Sequence, residues 1–454
     1  MSKAHSHLVV LGAGPKACAI WTKHTALVEE GVKTAPISII EKNRVAANWS
    51  GAHGYTDGVQ YLVSPSEQDL GFPYSNEVFG ADLTVRLTER MFKYSWQNFL
   101  LSVGGYPEWV AKDRPRAPHY QFRDYLEWVG RASKLEAIQN EITKISIDDK
   151  DQWSLSGAAA TQTITASGLV VTGNGKPRRL SGQPDHHSRI WNGETFWAQR
   201  SALTNAKFAR IAVIGSGETA AAIACSILDH VGESVVVELI CKQYAYFTRA
   251  EVAKDLVYFS DPSHWQSLRE GRRFSIMRRA DRGVVSSTIK TRLEESELVE
   301  YTTAEAVQLK VTAQDEILLS LKYDGQVEEV PYQFVVVATG FDAMWFFELF
   351  DDAAKLRLFK HLLEQLTSEQ TESLEAVIEG KATPERWLEH HTKPKVSRFL
   401  ERAIERLIDT DLSLRHFSPA LHLPMMSGLS QGPGFPNLNC LGLMAERILK
   451  SYLL

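Results

Sequence analysis

The 454-residue chain has only four cysteines, Cys18, Cys225, Cys241 and Cys440, set far apart in apolar surroundings. With no CxxC pair there is no secretory disulfide framework, and reduced thiols in a cytosolic protein are expected. No apolar run approaches the roughly 20 residues that span a bilayer. The chain passes from a few polar residues straight into the strand-like His7–Leu11, leaving no room for a signal peptide. Histidines occur as His186-His187, as His390-His391 or singly, without HExxH or other ligand spacing, so no metal is expected. Charge of one sign is also scarce: the formal net charge is −5, which gives no general attraction to nucleic acid or an anionic membrane. The one basic concentration, Arg272, Arg273, Arg278, Arg279 and Arg282, is interrupted by Glu270 and Asp281. It reads as a solvated face or as a site for a small anion.

What is present is an ordinary globular composition, 44% hydrophobic and 23% charged, in a chain long enough for two or three domains. Three segments, beginning at Leu8, Ile211 and Phe334, run from a short β-branched strand into glycine and small residues. The first two continue into helical stretches after Gly14 and Gly217, as a βαβ unit requires. Phe334–Gly340 resembles the earlier Leu169–Gly173, and both are expected to return the chain to the first sheet. The predicted organisation is a first domain over 1–204, an inserted second dinucleotide domain over 205–330, and completion of the first over 331–454. The stretch from Asp351 to Asp411 has helical periodicity, with Leu356, Leu358, Phe359, Leu362 and Leu363 on one face, and predicts a helical substrate or cap region. The fold class is therefore α/β, with two Rossmann-like domains and a helical region.

The first loop, Gly12-Ala-Gly14-Pro-Lys-Ala17, closes a strand and opens a helix, so glycine permits close backbone approach and the helix N-terminus faces a diphosphate. The next strand ends in Glu41, placed to accept hydrogen bonds from ribose hydroxyls. The second loop, Gly215-Ser-Gly217-Glu-Thr-Ala220, has the same context, but its following strand ends in Cys241-Lys242. A cation there suits a 2′-phosphate, which points to NADPH over NADH. Arg249 and Arg273 are further candidates for that phosphate. A ribose-selective site and a phosphate-tolerant site in one chain are the layout in which NADPH delivers hydride to FAD.

The chain resembles the N-hydroxylating flavoprotein monooxygenases, and within them the lysine N6-hydroxylases of mycobactin- and nocobactin-type siderophore pathways. The resemblance covers nearly the whole length. It is carried by Gly12–Ala17, Ala47-Asn-Trp49, Gly54-Tyr-Thr-Asp-Gly58, Ser64-Pro-Ser-Glu-Gln-Asp-Leu-Gly-Phe-Pro-Tyr74, Asp281-Arg-Gly283, Ala338-Thr-Gly340, Leu423–Gly428 and Gln431–Gly442. It implies FAD, NADPH, dioxygen as co-substrate, and a neutral amine attacking a flavin C4a-hydroperoxide, with no catalytic side chain acting as nucleophile. The substrate expected is the side-chain amine of L-lysine, with L-ornithine, a diamine or another amino acid as alternatives. One departure bears on this. Where the siderophore relatives read PEKD, with a lysine to hold the substrate carboxylate, this chain has Gln68.

The candidate cofactor contacts are Gly12, Gly14, Pro15, Ala17, Glu41, Lys42, Asn48, Trp49 and Gln60 around the first loop. Around the second they are Gly215, Ser216, Gly217, Glu218, Thr219, Lys242 and Arg249. Thr339, Gly340, Ser430 and Gln431 complete the set, and Glu67, Gln68 and Asp69 are the candidate substrate contacts. Trp49 is read as a cover for the flavin ring or as core. A C-terminal helix from about Leu441 is expected to aim its N-terminus at the flavin's pyrimidine end.

Three rival readings arise. Gly428-Leu-Ser430-Gln-Gly432 matches a GxSxG nucleophile elbow, but Pro433 and Pro436 deny the helix that must follow and no histidine comes after His422. A flavin disulfide reductase needs a close cysteine pair, which is missing. A nucleotide-binding module without turnover remains as the non-enzyme alternative. Expected partners are a small amine, no nucleic acid, no membrane and a possible second copy of the chain.

Overall fold

Leu8–Leu11 (β1) reads LVVL and is buried throughout, as a parallel strand covered on both faces requires. It lies in the middle of a five-stranded parallel sheet in the order Ala420–His422, Gly168–Val171, β1, Ile37–Glu41 (β2), Ala137–Gln139. The computed structural model describes residues 6–74, 79–158, 163–204, 206, 209–231, 235–243, 246–249 and 253–454. From β1 the chain turns through Gly12 into the helix Pro15–Glu29 (α1). Pro15 stands in the first turn of α1, where its missing N–H leaves no bond unmade.

A second five-stranded parallel sheet has the order Val299–Thr303, Val236–Cys241, Arg210–Ile214, Phe334–Val337, Ile190–Asn192. The expected boundaries at 204/205 and 330/331 place two of these strands in the first domain. Ile190–Asn192 and Phe334–Val337 belong to the second sheet, not to the first. Gly168–Val171 and Phe334–Val337 look alike because each pairs with the strand that leads into the glycine loop of its own sheet, Val170 opposite Val10 and Val336 opposite Val213.

The helices Asp352–Gln365, Ser368–Ile378, Pro384–His390 and Pro394–Leu407 fill the region expected to be helical. Their starts are written in the sequence. Asp351 accepts from the Ala354 N–H, and Thr367 forms a capping box with Gln370. Trp387 stacks on Phe359 at 4.9 Å to lock the group together. The helix Glu270–Ala280 of the inserted block lies against the chain near Gly428, so the block that carries the second nucleotide loop contributes to the wall around the C-terminal run. Among the described residues, no helix is long and apolar enough to cross a membrane.

Candidate active site

The first glycine loop is built around a positive φ and an open face. Gly12 has φ +91°, and a Cβ there would stand 2.7 Å from Thr172 Oγ1, so only glycine fits. At Gly14, the N-cap of α1, nothing lies within 4 Å of where a Cβ would stand, which leaves the helix N-terminus facing free space. That is the cradle a diphosphate needs. Glu41 closes the loop from the next strand. Its Oε2 accepts from the Ala13 N–H at 2.8 Å and its Oε1 from the Asn43 N–H at 2.9 Å. The carboxylate is thus fixed beside the loop with lone pairs left for a ribose.

Trp49 is half-buried and edge-packed against His119 at 4.8 Å and Phe122 at 5.0 Å. Burial pushes the His119 imidazole down to about 4, so this ring is neutral at physiological pH. Gln60 lies in the same stretch, and its Nε2 is buried without a partner among the described residues. A buried amide donor left unpaired costs stability unless a ligand accepts from it. The open helix terminus, the fixed acid and this orphan donor together fit FAD.

The second loop lines a cleft of about 430 Å³ with Gly215, Ser216, Gly217, Glu218, Thr219, Lys242, Thr339 and Gly340 among its walls. Thr339 and Gly340 reach it because their strand lies in the second sheet. Gly217 caps the helix Glu218–Leu228, and nothing lies within 4 Å of where its Cβ would be, so this terminus is also open. Glu218 turns aside to accept from the Ser286 N–H at 3.0 Å, and burial raises its carboxyl above the usual range. Lys242 sits on the rim in an exposed ion pair with Glu305. Arg249 lies nearby with Nε buried and unpaired among the described residues. The geometry fits NADPH.

The C-terminal run joins these two sites. Lys16 Nζ donates to Pro436 O at 2.9 Å and Asn437 O at 2.8 Å, and Asn437 Nδ2 donates to Asp281 Oδ1 at 2.8 Å. Asn439 Nδ2 donates to Gln68 Oε1 and, at 3.1 Å, to Ser64 Oγ. Gly283 packs on the second loop: a Cβ there would meet Ser216 Oγ at 3.1 Å and Gln243 Nε2 at 2.8 Å. Residues from the two loops, from 64–68 and from 433–440 therefore meet in one place. Lys16, Asn437 and Asn439 are visible in the sequence only as parts of motifs, because nothing in local spacing shows that they reach across the chain, over 371 residues in the case of Asn439 and Gln68.

Several expected contacts stand elsewhere. Asp69 is turned into the protein, where it accepts from the Gly71 N–H, the Tyr74 hydroxyl and the Trp96 N–H. It is 1% exposed, and burial raises its carboxyl to about 6. It anchors the 64–74 segment from within the protein, whereas Glu67 is half-buried beside Gln68. Gln431 is 2% exposed and spends its amide on Ile408 O, and the Ser430 hydroxyl donates to Ser427 O. Ser430 belongs to a single helical turn, Gly428–Gln431, that ends at Gly432 before the prolines. Arg273 donates to Leu429 O at 3.1 Å and so braces this turn, and its Nε is buried without a partner among the described residues. Lys42 and Asn48 are exposed near the first loop.

Comparison with known proteins agrees with this geometry. Residues 78–343 match the family model described as L-lysine 6-monooxygenase/L-ornithine 5-monooxygenase. The L-lysine N6-monooxygenase MbtG of Mycolicibacterium paratuberculosis is 32% identical, over 99% of this chain and 96% of that protein. The protein of the same name from Mycobacterium tuberculosis is also 32% identical, over 97% of this chain and 94% of its own length. Among solved structures, the lysine monooxygenase NbtG of Nocardia farcinica superposes with a TM-score of 0.76 at 30% identity, covering 98% of this chain and all 100% of that one. The ornithine N-hydroxylase KtzI of Kutzneria sp. 744 shares the fold at a TM-score of 0.72 and 17% identity, with 99% of each chain covered. With the family match spanning more than half of the chain and relatives aligned over nearly all of it, this protein belongs to the L-lysine 6-monooxygenase/L-ornithine 5-monooxygenase family and is a flavin-dependent N-monooxygenase.

Proposed function

We propose that the protein hydroxylates the side-chain nitrogen of L-lysine, with FAD over the first loop and NADPH in the second cleft. The observation that carries the substrate reading is the Gln68–Asn439 pair. Asn439 Nδ2 occupies the Gln68 oxygen, which leaves the Gln68 Nε2 hydrogens free to donate to a carboxylate. A neutral amide holds that carboxylate less strongly than an ammonium would, about 0.5–1.5 kcal/mol for a neutral hydrogen bond against about 1.5–3 for one to a charged group. A higher KM for lysine than in a lysine-bearing relative follows.

In the mechanism, Gly12, Gly14 and the first turn of α1 would hold the FAD diphosphate, Glu41 the adenosine ribose, and Gln60 an acceptor of the bound cofactor. Bound FAD, once reduced by NADPH, supplies the activation of dioxygen. The chain's task is then to present a neutral amine and to keep water away. A lysine side chain has a pKa near 10.4 in water, so the pocket must favour its unprotonated form. Desolvation by Trp49, packed on Phe122 and the neutral His119, would favour that form. The four cysteines are free and buried, which supports a cytosolic enzyme.

The test is mass spectrometry for the gain of one oxygen on a panel of L-lysine, L-ornithine and small diamines. Gln68→Ala should raise KM for lysine and leave KM for a diamine unchanged, since a diamine has no carboxylate. Product from a diamine alone would discard the amino-acid reading and keep the reaction.

A further inference from the structure

Lys16 is 6% exposed, stands at the second position of α1, and has no carboxylate within 4.0 Å among the described residues. Three effects disfavour a cation there. Burial takes it out of water, the positive end of the helix dipole repels it, and no counter-charge offsets either. A methionine would fill the same space without those costs. What the ammonium does have is two carbonyl acceptors, Pro436 O and Asn437 O, both in the irregular run that also supplies Asn439 to Gln68 and Asn437 to Asp281.

Resting on the reading above that Gln68 meets the substrate, we propose that Lys16 is a positioning residue: it fixes the 433–440 run to the first turn of the FAD helix and so sets Gln68 and Asp281 in register with the cofactor. Within the run, Asn437 Nδ2 also donates to Pro433 O at 2.8 Å, and Pro433, Gly434 and Pro436 stand in place of a hydrogen-bonded ladder, so the two carbonyls that Lys16 holds have no strand or helix partner. Burial lowers the Lys16 ammonium to about 7.

The experiment compares Lys16→Met, Gln68→Ala and the double variant in the full-length protein. FAD affinity is read by fluorescence titration of the apoprotein, and KM for the amine and hydroxylated product per NADPH oxidised are read on the loaded enzyme. Lys16→Met is expected to keep FAD affinity within about threefold, raise KM roughly tenfold and shift NADPH oxidation toward peroxide, as loss of hydrogen bonds to a charged group implies. Because Lys16 acts through Gln68, the double variant should have a KM close to that of the worse single variant. Unchanged KM and coupling in Lys16→Met, or fully additive effects, would overturn the proposal. If Lys16→Met does not fold, Asn439→Ala replaces it in the same cycle: a raised KM that is non-additive with Gln68→Ala supports the linkage, and an unchanged or additive KM refutes it. A wild-type protein that hydroxylates no amine on the panel would instead remove the functional reading itself.

Discussion

Replacing Lys242 by alanine should lower the preference for NADPH over NADH, and replacing Glu305 by glutamine should raise it. The two side chains pair on the rim of the second cleft with 65% and 40% of their side-chain surfaces exposed. The Lys242 hydrogen bond holds the Glu305 carboxyl below its ordinary range, so it is ionised at neutral pH. A 2′-phosphate arriving at Lys242 must compete with that carboxylate. An exposed pair of this kind is worth about 0–1 kcal/mol, while a hydrogen bond from an ammonium to an anion is worth about 1.5–3 kcal/mol and less on an open rim. The difference left for cofactor choice is on the order of 1 kcal/mol, roughly a fivefold fall in the ratio of kcat/KM values for Lys242→Ala. Glu305→Gln removes both a competitor and a repelling charge, so the ratio should rise by a few fold. Both effects should shrink as salt is added. The assay is the initial rate with each nicotinamide at fixed amine and FAD. An unchanged ratio in Lys242→Ala would refute the assignment of this lysine, and a fall in Glu305→Gln would refute the charge argument.

The first loop yields a paired test. Gly14→Ala should leave the melting temperature of the apoprotein unchanged and weaken FAD binding about tenfold or more, because its Cβ meets no protein atom but enters the diphosphate cradle. Gly12→Ala should lower both, since its Cβ meets Thr172 at a positive φ; flavin absorbance per protein and thermal melts separate the two. Lys23 and Glu446 form an ion pair at 2.5 Å with side chains 1% and 0% exposed. Lys23→Met alone should destabilise by about 3–5 kcal/mol, and Lys23→Met/Glu446→Leu should recover most of that in urea melts. Asp69 gives a pH signature. Its folded pKa of about 6 lies above the ordinary 3.8, so the folded state binds the proton more tightly and this group's contribution to stability rises as pH falls from about 6 toward about 4. That difference corresponds to about 3 kcal/mol. Asp69→Asn should remove that increment, and equal pH slopes for wild type and variant in urea melts at pH 7 and pH 5 would refute it.

The two nucleotide loops are legible in the sequence because each needs glycine at fixed places between a strand and a helix, and that requirement is local. Glu41 and Lys242 stand at the ends of their strands, as expected, for the same reason: spacing along one βαβ unit is set by the unit itself. Sheet membership is not local. Gly168–Val171 and Phe334–Val337 are both short, apolar and almost wholly buried. A strand covered on both faces carries no alternation to show which neighbour covers it. The second sheet therefore takes in, beyond residue 330, the very strand whose pattern reads most plainly.

The site itself divides along the same line. Asp69 follows Gln68 directly, and both belong to one motif, yet one carboxylate faces inward to three donors while the neighbouring amide faces the C-terminal run. Sequence gives the residue types but not which way an irregular segment turns each of them, because outside helix and strand there is no period to read. Gln431 and Arg273 are assigned to ligands on the strength of their polarity, and each donates to a backbone carbonyl. An irregular buried chain must have its carbonyls satisfied by side chains, since no ladder does it. Polar residues near a glycine- and proline-rich run thus have two employers, the ligand and the run. Lys16 is where the two demands meet: it serves the run's carbonyls from a position at the start of the cofactor helix. That is why its variant, more than that of any loop glycine, should separate holding the cofactor from using it.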